Sequence, residues 1–127
     1  MKKLLLTICI TLISVIKMVA QESTPVIEFS TTEVNYGVII KNSEGKRSFS
    51  IKNTGNAPLV IKSCSGSCGC TVPTCPQEPI MPGKTSVVDV RYDTSRLGPF
   101  SKLVTVYSND PKNGVATVVI KGEVKEP

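Results

Sequence analysis

Four of the five cysteines stand within twelve residues, in the order Cys64-x3-Cys68-x-Cys70-x4-Cys75. Sulfur at that density supports three kinds of chemistry. In an oxidising compartment the four thiols pair as disulfides that staple a proline-rich loop. Four cysteines allow three pairings, and the spacing does not choose among them. Closing the loop between Cys64 and Cys75 stabilises by about 3 kcal/mol in the chain-entropy account. A bond between Cys68 and Cys70 closes a small, strained ring across one glycine, which makes it the more reducible of the possible bonds. The second chemistry is a thiolate site in which Cys64, Cys68, Cys70 and Cys75 converge on a soft metal such as Cu(I) or Zn. Their spacing is not that of a zinc ribbon, which needs two separated Cys-x2-Cys pairs. The third is thiol–disulfide exchange, with Gly69 letting the flanking sulfurs approach and Thr71 or Lys62 tuning the thiolate. Enzymes of that kind place their thiols at a helix start, and no helix is predicted here. Disulfides are the reading adopted, with Cys64 and Cys75 linked to each other or to Cys68 and Cys70, and with no cofactor.

Other chemistry has little to work with. The chain contains no histidine, which removes the usual general base, the usual proton shuttle and the commonest metal ligand. Ser-His-Asp and Cys-His catalysis are excluded. No glycine-rich loop follows a strand and opens a helix, so phosphate-dependent chemistry finds no support. The carboxylates Glu28, Glu33, Glu44, Asp89, Asp93 and Asp110 are scattered over different strands and turns, and are read as solvated-face charges without a catalytic role. The aromatic residues Phe29, Tyr36, Phe49 and Phe100 are read as core. With no tryptophan in the chain, no stacking surface for sugars or bases is expected.

The elements that must carry the cysteines are strands. From Pro25 onward apolar residues recur with period two in short runs separated by Gly, Pro, Asn and Asp, and no helical period persists. Strands are expected at 26–30, 33–40, 48–52, 59–63, 85–92, 100–108 and 115–124. Phe49 and Ile51 alternate against polar neighbours, as do Val88, Val90 and Tyr92 against Asp89 and Arg91. Turns are expected at Asn53-Thr54-Gly55-Asn56, Pro82-Gly83, Asp110-Pro111 and Asn113-Gly114, with Gly55 and Gly83 at positive φ. The segment 64–79, rich in proline and cysteine, reads as an irregular loop without a regular ladder. About seven strands over about 100 residues is the count of an immunoglobulin-like β-sandwich. A small barrel has the same sequence period.

The first twenty residues differ in kind. Lys2 and Lys3 precede a mostly apolar run from Leu4 to Ile16, and Ala20 precedes polar Gln21, the layout of a signal peptide. The run is shorter than the roughly 20 residues of a membrane-spanning helix, and Lys17 interrupts it. Ile8 and the few residues before Cys9 do not favour a lipid anchor there. The division expected is 1–20 signal peptide and 21–127 sandwich, with no membrane span once the leader is cleaved. Cleavage removes Lys2, Lys3 and Lys17 and no acid, which accounts for three of the five net positive charges. The longest basic run left is Lys46-Arg47, too little for nucleic-acid binding.

The motifs together carry a resemblance. Phe29, Tyr36-Gly37, Asn53-Thr54-Gly55, Pro58-Leu59-Val60-Ile61, Cys68-Gly69-Cys70-Thr71, Pro79-Ile80, Pro82-Gly83, Gly98-Pro99-Phe100 and Tyr107-Ser108-Asn109 occur in an order that resembles the bacterial domain-of-unknown-function family 1573, common in exported proteins of the Bacteroidetes. The resemblance covers about residues 27–124. Cys64 and Cys75 are additional to the Cys-Gly-Cys of that family's pattern. The family in turn resembles major-sperm-protein and cilium-associated immunoglobulin-like domains. That implies a sandwich acting as a binding or scaffold module, although a fold does not by itself fix a function. The expectation is a non-enzymatic exported module of the periplasm or cell surface. Its partner would be another envelope protein or surface component.

Overall fold

The computed structural model describes residues 22–127. The signal peptide expected over residues 1–20 lies outside them. Eight strands follow in order: β1 (Ile27–Phe29), β2 (Glu33–Ile40), β3 (Lys46–Asn53), β4 (Ile61–Gly66), β5 (Thr71–Thr74), β6 (Thr85–Tyr92), β7 (Gly98–Ser108) and β8 (Val115–Lys125). They form two four-stranded sheets, ordered β1-β3-β6-β5 and β2-β8-β7-β4, so the immunoglobulin-like sandwich read from the period is the fold found. Each strand sends alternate side chains inward. Phe49 and Ile51 of β3, Val88, Val90 and Tyr92 of β6, Val104 and Val106 of β7, and Val118 and Ile120 of β8 are buried. Phe100 stacks on Tyr92 with ring centroids 3.8 Å apart, and Tyr36 meets Phe100 edge-on at 5.4 Å, a geometry aromatic quadrupoles favour.

Three expectations need correction. Among the described residues the strand count is eight because the segment read as an irregular loop holds a ladder after all. β4 runs through Cys64 to Gly66, and β5 pairs antiparallel with β6, Thr71 opposite Tyr92 and Thr74 opposite Asp89. Pro73 is tolerated because β5 is an outer strand, where alternate N–H groups need no ladder partner. Gly55 is the second. Gly83 has φ 77°, as expected, but Gly55 does not lie at positive φ. Glycine is required there by close approach: an added Cβ would collide with the backbone of Thr24 and stand 2.6 Å from Val26 N. Asp110 is the third, for it is buried and not solvated.

The reason lies in how the turns are tied to β1. Asp110 Oδ2 accepts from Ile27 N (2.9 Å), and Oδ1 accepts from Lys112 N (2.8 Å) and Asn113 N (3.0 Å). Burial pushes this carboxyl up, but those three N–H groups and the Lys112 charge outweigh it and hold Asp110 below the usual carboxylate range. Asn53 is fully buried at the end of β3. Its Nδ2 donates to Ala57 O (2.7 Å) and Ile80 O (2.8 Å), while Oδ1 accepts from Gly55 N (2.9 Å) and Val26 N (3.3 Å). One side chain therefore fixes the turn, the approach to β1 and the segment before Pro82-Gly83.

Between Asn35 and Val38 the parallel β2–β8 pairing shifts register. Gly37 takes φ 67° there, and its N–H donates to Asn35 Oδ1 (2.8 Å). The bulge turns Tyr36 inward, where its hydroxyl donates to Gly45 O (2.8 Å) and Arg47 lies over its ring, 4.5 Å from the centroid. Among the described residues no helix is long and apolar enough to cross a membrane.

Candidate functional site

The corner where the two sheets meet at β4 and β5 holds all four clustered cysteines. Cys64 lies within β4, opposite Val106 of β7, and Cys75 follows directly on β5. β4 is the outer strand of one sheet and β5 the outer strand of the other. Cys64 and Cys75 face each other across that gap at disulfide distance, with Cα atoms 6.1 Å apart, inside the range a disulfide spans. The turn from β4 to β5 carries Cys68, Gly69 and Cys70. Its two sulfurs also stand at disulfide distance, with Cα atoms 5.2 Å apart and only Gly69 between them in sequence.

The two pairs sit in different surroundings. Cys64, Cys68 and Cys75 are half-buried against the core, whereas Cys70 belongs to it. The Cys70 N–H donates to Cys68 Sγ at 3.2 Å. Thr71 Oγ1 stands 3.8 Å from Cys68 Sγ and 3.7 Å from Cys70 Sγ, on a residue only 2% exposed. The turn is anchored by Thr71 N donating to Cys68 O (3.2 Å) and Asp93 N donating to Cys70 O (2.8 Å).

Of the two residues expected to tune a thiolate, Thr71 is in place between the sulfurs. Lys62 instead lines a hollow beside the other pair, with Cys64, Pro73 and Cys75. The four sulfurs thus resolve into two pairs and do not gather at one point. Among the described residues, no group of three or more His, Cys, Asp or Glu side chains could hold a metal ion.

An open hollow adjoins the Cys68-Gly69-Cys70 turn, lined by Gly69, Cys70, Val72, Arg91, Tyr92 and Asp93 among others. Glu44 and Asp93 are its carboxylates. The Ser95 hydroxyl (2.6 Å) and Ser95 N–H (3.1 Å) hold Asp93 below the usual range, with Arg96 assisting. Of the other carboxylates singled out, Glu28, Glu33 and Glu44 are exposed and Asp89 is half-buried. Glu44 lines the same hollow as Cys70, whereas Glu28, Glu33 and Asp89 do not line it. Sequence reasoning missed the two buried polar anchors, Asn53 and Asp110. The available signal was their position, Asn53 as the last residue of β3 and Asp110 two residues past β7, each leading into a turn where a short polar side chain can bond back to the chain.

With this geometry in hand the comparisons with known proteins are specific. A family model described as a protein of unknown function (DUF1573) matches residues 27–124. No curated protein matches the sequence. Among solved structures, a protein of unknown function from Porphyromonas gingivalis W83 superposes with TM-score 0.71 at 20% identity, covering 80% of this chain and 47% of that one. The chain thus spans less than half the length of that relative. The PapD-like domain 7 of human CEP192 gives TM-score 0.68 at 8% identity, covering 89% of this chain and 94% of that domain. The periplasmic chaperone SfaE gives 0.56 at 10% identity, covering 80% and 61%. At such identities these likenesses establish the fold.

Proposed function

Given that the chain belongs to the family described as a protein of unknown function (DUF1573), its sandwich included in the match at 27–124, we propose that it is an exported, non-enzymatic binding or structural module of the cell envelope. The observation that carries this reading is the approach of Cys64 to Cys75 across the gap between the two sheets. A sulfur pair placed to staple one sheet edge to the other stabilises the fold only where thiols oxidise, outside the cytosol. The basic start and apolar run of residues 2–16 supply the route there. A chain without histidine lacks the common acid–base group. The periplasmic chaperone SfaE, which shares the fold, lends the reading a style of action, in which a sandwich serves other proteins. The partner is then another envelope protein or surface component.

Expression with the native leader, followed by cell fractionation and intact-mass measurement, tests the proposal. The expected product is an envelope-fraction protein that has lost about twenty residues and two hydrogens for each disulfide formed. Recovery of the full-length chain in the cytosol with its thiols free refutes it. Metal analysis of the same preparation separates the competing soft-metal reading, because a stoichiometric metal held by all four thiols would overturn the disulfide assignment.

A further inference from the structure

The two cysteine pairs are not equivalent. Cys64 and Cys75 join the outer strands of opposite sheets, so breaking their bond releases a long-range constraint. Cys68 and Cys70 are two residues apart within one turn, and that turn is already held by the Thr71 and Asp93 amides. A bond between them adds little to the architecture. We propose that Cys68-Gly69-Cys70 is a thiol–disulfide exchange site, which passes its disulfide to an accessible protein dithiol.

Four observations carry the assignment. Cys68 is half-buried while Cys70, although it lines the open hollow, is 6% exposed, so Cys68 is the more open of the two residues to an incoming thiolate. The Cys70 N–H points at Cys68 Sγ, and a hydrogen bond to sulfur favours its thiolate, which helps Cys68 leave when the mixed disulfide is resolved. Thr71 Oγ1 lies beside both sulfurs and can donate to whichever one carries charge. Gly69 is exposed, and a Cβ built there meets nothing within 4 Å, which leaves room for a second chain above the sulfurs.

The chemistry runs in two balanced steps. A client thiolate attacks Cys68 Sγ, the Cys68–Cys70 bond breaks, Cys70 leaves as the thiolate beside Thr71, and a client–Cys68 mixed disulfide forms. The client's second thiolate then attacks the client sulfur of that bond and expels Cys68, whose thiolate accepts the Cys70 N–H. Two client thiols have become a disulfide. Their two protons and two electrons reside on Cys68 and Cys70. The transfer is stoichiometric, one disulfide per chain, and is independent of whether the sandwich also binds a partner.

The test uses the exported chain, first oxidised with glutathione disulfide and freed of it. Mixed without oxygen with an equimolar reduced peptide carrying two cysteines, it is sampled by acid quench, alkylation and peptide mapping. The peptide disulfide is expected to appear as Cys68 and Cys70 become alkylatable, at least about tenfold faster than Cys64 and Cys75. In Cys70→Ser, where the oxidation leaves Cys68 as its glutathione mixed disulfide, a peptide with a single cysteine displaces glutathione as the thiol and a peptide–Cys68 adduct accumulates, and in Cys68→Ser no adduct forms at Cys70. Thermal melts of both variants establish that they are folded. If either is not, the wild-type exchange stands as the readout. Failure of Cys68 and Cys70 to pair on oxidation overturns the proposal. So does a peptide that stays reduced, or exchange at Cys64–Cys75 instead.

Discussion

Replacing Asn53 by alanine removes a side chain that ties three separate stretches to the end of β3. The amide makes four hydrogen bonds, to Ala57 O, Ile80 O, Gly55 N and Val26 N, from a fully buried position. A typical hydrogen bond contributes about 1 kcal/mol net, and a buried group left unpaired costs about 1–3 kcal/mol. The full penalty does not fall on every partner. The Ile80 carbonyl keeps the Leu59 N–H at 2.9 Å, and the contacts to Ala57, Gly55 and Val26 are only part-buried, so water replaces some of what is lost. The expected destabilisation is about 3 kcal/mol, a large share of the roughly 5–15 kcal/mol that holds a domain of this size. Thermal unfolding followed by circular dichroism should show Tm lowered by about 12–24 °C, at roughly 4–8 °C per kcal/mol.

Asn53→Asp adds a check on the mechanism. It keeps both acceptor bonds but sets a carboxylate against the Ala57 and Ile80 carbonyls, and it should be at least as damaging at neutral pH. Relative to wild type at the same pH, its deficit should shrink on acidification, because a protonated carboxyl regains a donor. An Asn53→Ala variant melting within about 4 °C of wild type would refute the reasoning.

Gly55→Ala should cost about 1–3 kcal/mol by driving a Cβ into the Thr24–Val26 backbone. Gly83→Ala, with φ 77° and open space around it, should cost about 1 kcal/mol, and urea titrations rank the two. Because Asp110 is held below its ordinary range, its contribution to stability is complete above the unfolded carboxylate value, about 3.9, and is lost as pH falls through the lower folded value. Stability against pH should therefore decline less steeply on the acid side in Asp110→Asn. Burial of Tyr36 pushes its phenol up to about 12, Arg47 opposing and Glu44 adding to the effect. That contribution is complete below the unfolded value near 10 and lost as pH rises towards about 12. Tyr36→Phe should lower stability by about 1 kcal/mol at neutral pH and flatten the alkaline limb of a Tm profile.

The sandwich was legible because burial imposes a period of two on strands covered on one face. Val88, Val90 and Tyr92 against Asp89 and Arg91 gave β6 its full extent, and Phe49 with Ile51 placed β3. What period cannot report is pairing over distance. β5 was hidden because Pro73 and the cysteines around it read as loop, and only its outer place beside β6 makes a four-residue strand with proline possible. Gly55 was identified as necessary for the wrong reason, since a close approach from Thr24–Val26 leaves no mark near Gly55 in the sequence. Asp110 looked like any turn carboxylate. Its burial follows from β1, 83 residues earlier. At the cysteine corner the sequence supplied the residues, including Thr71. Their separation into an inter-sheet pair and a within-turn pair came from the fold.

Peptide mapping without reduction, on protein recovered from the envelope fraction of cells expressing the full chain, decides whether the chain is exported and stapled between its sheets. A mature amino terminus near Gln21 and one peptide pair joined through Cys64 and Cys75 are expected. Cys64 and Cys75 recovered as free thiols on a chain that still begins at Met1 would contradict it.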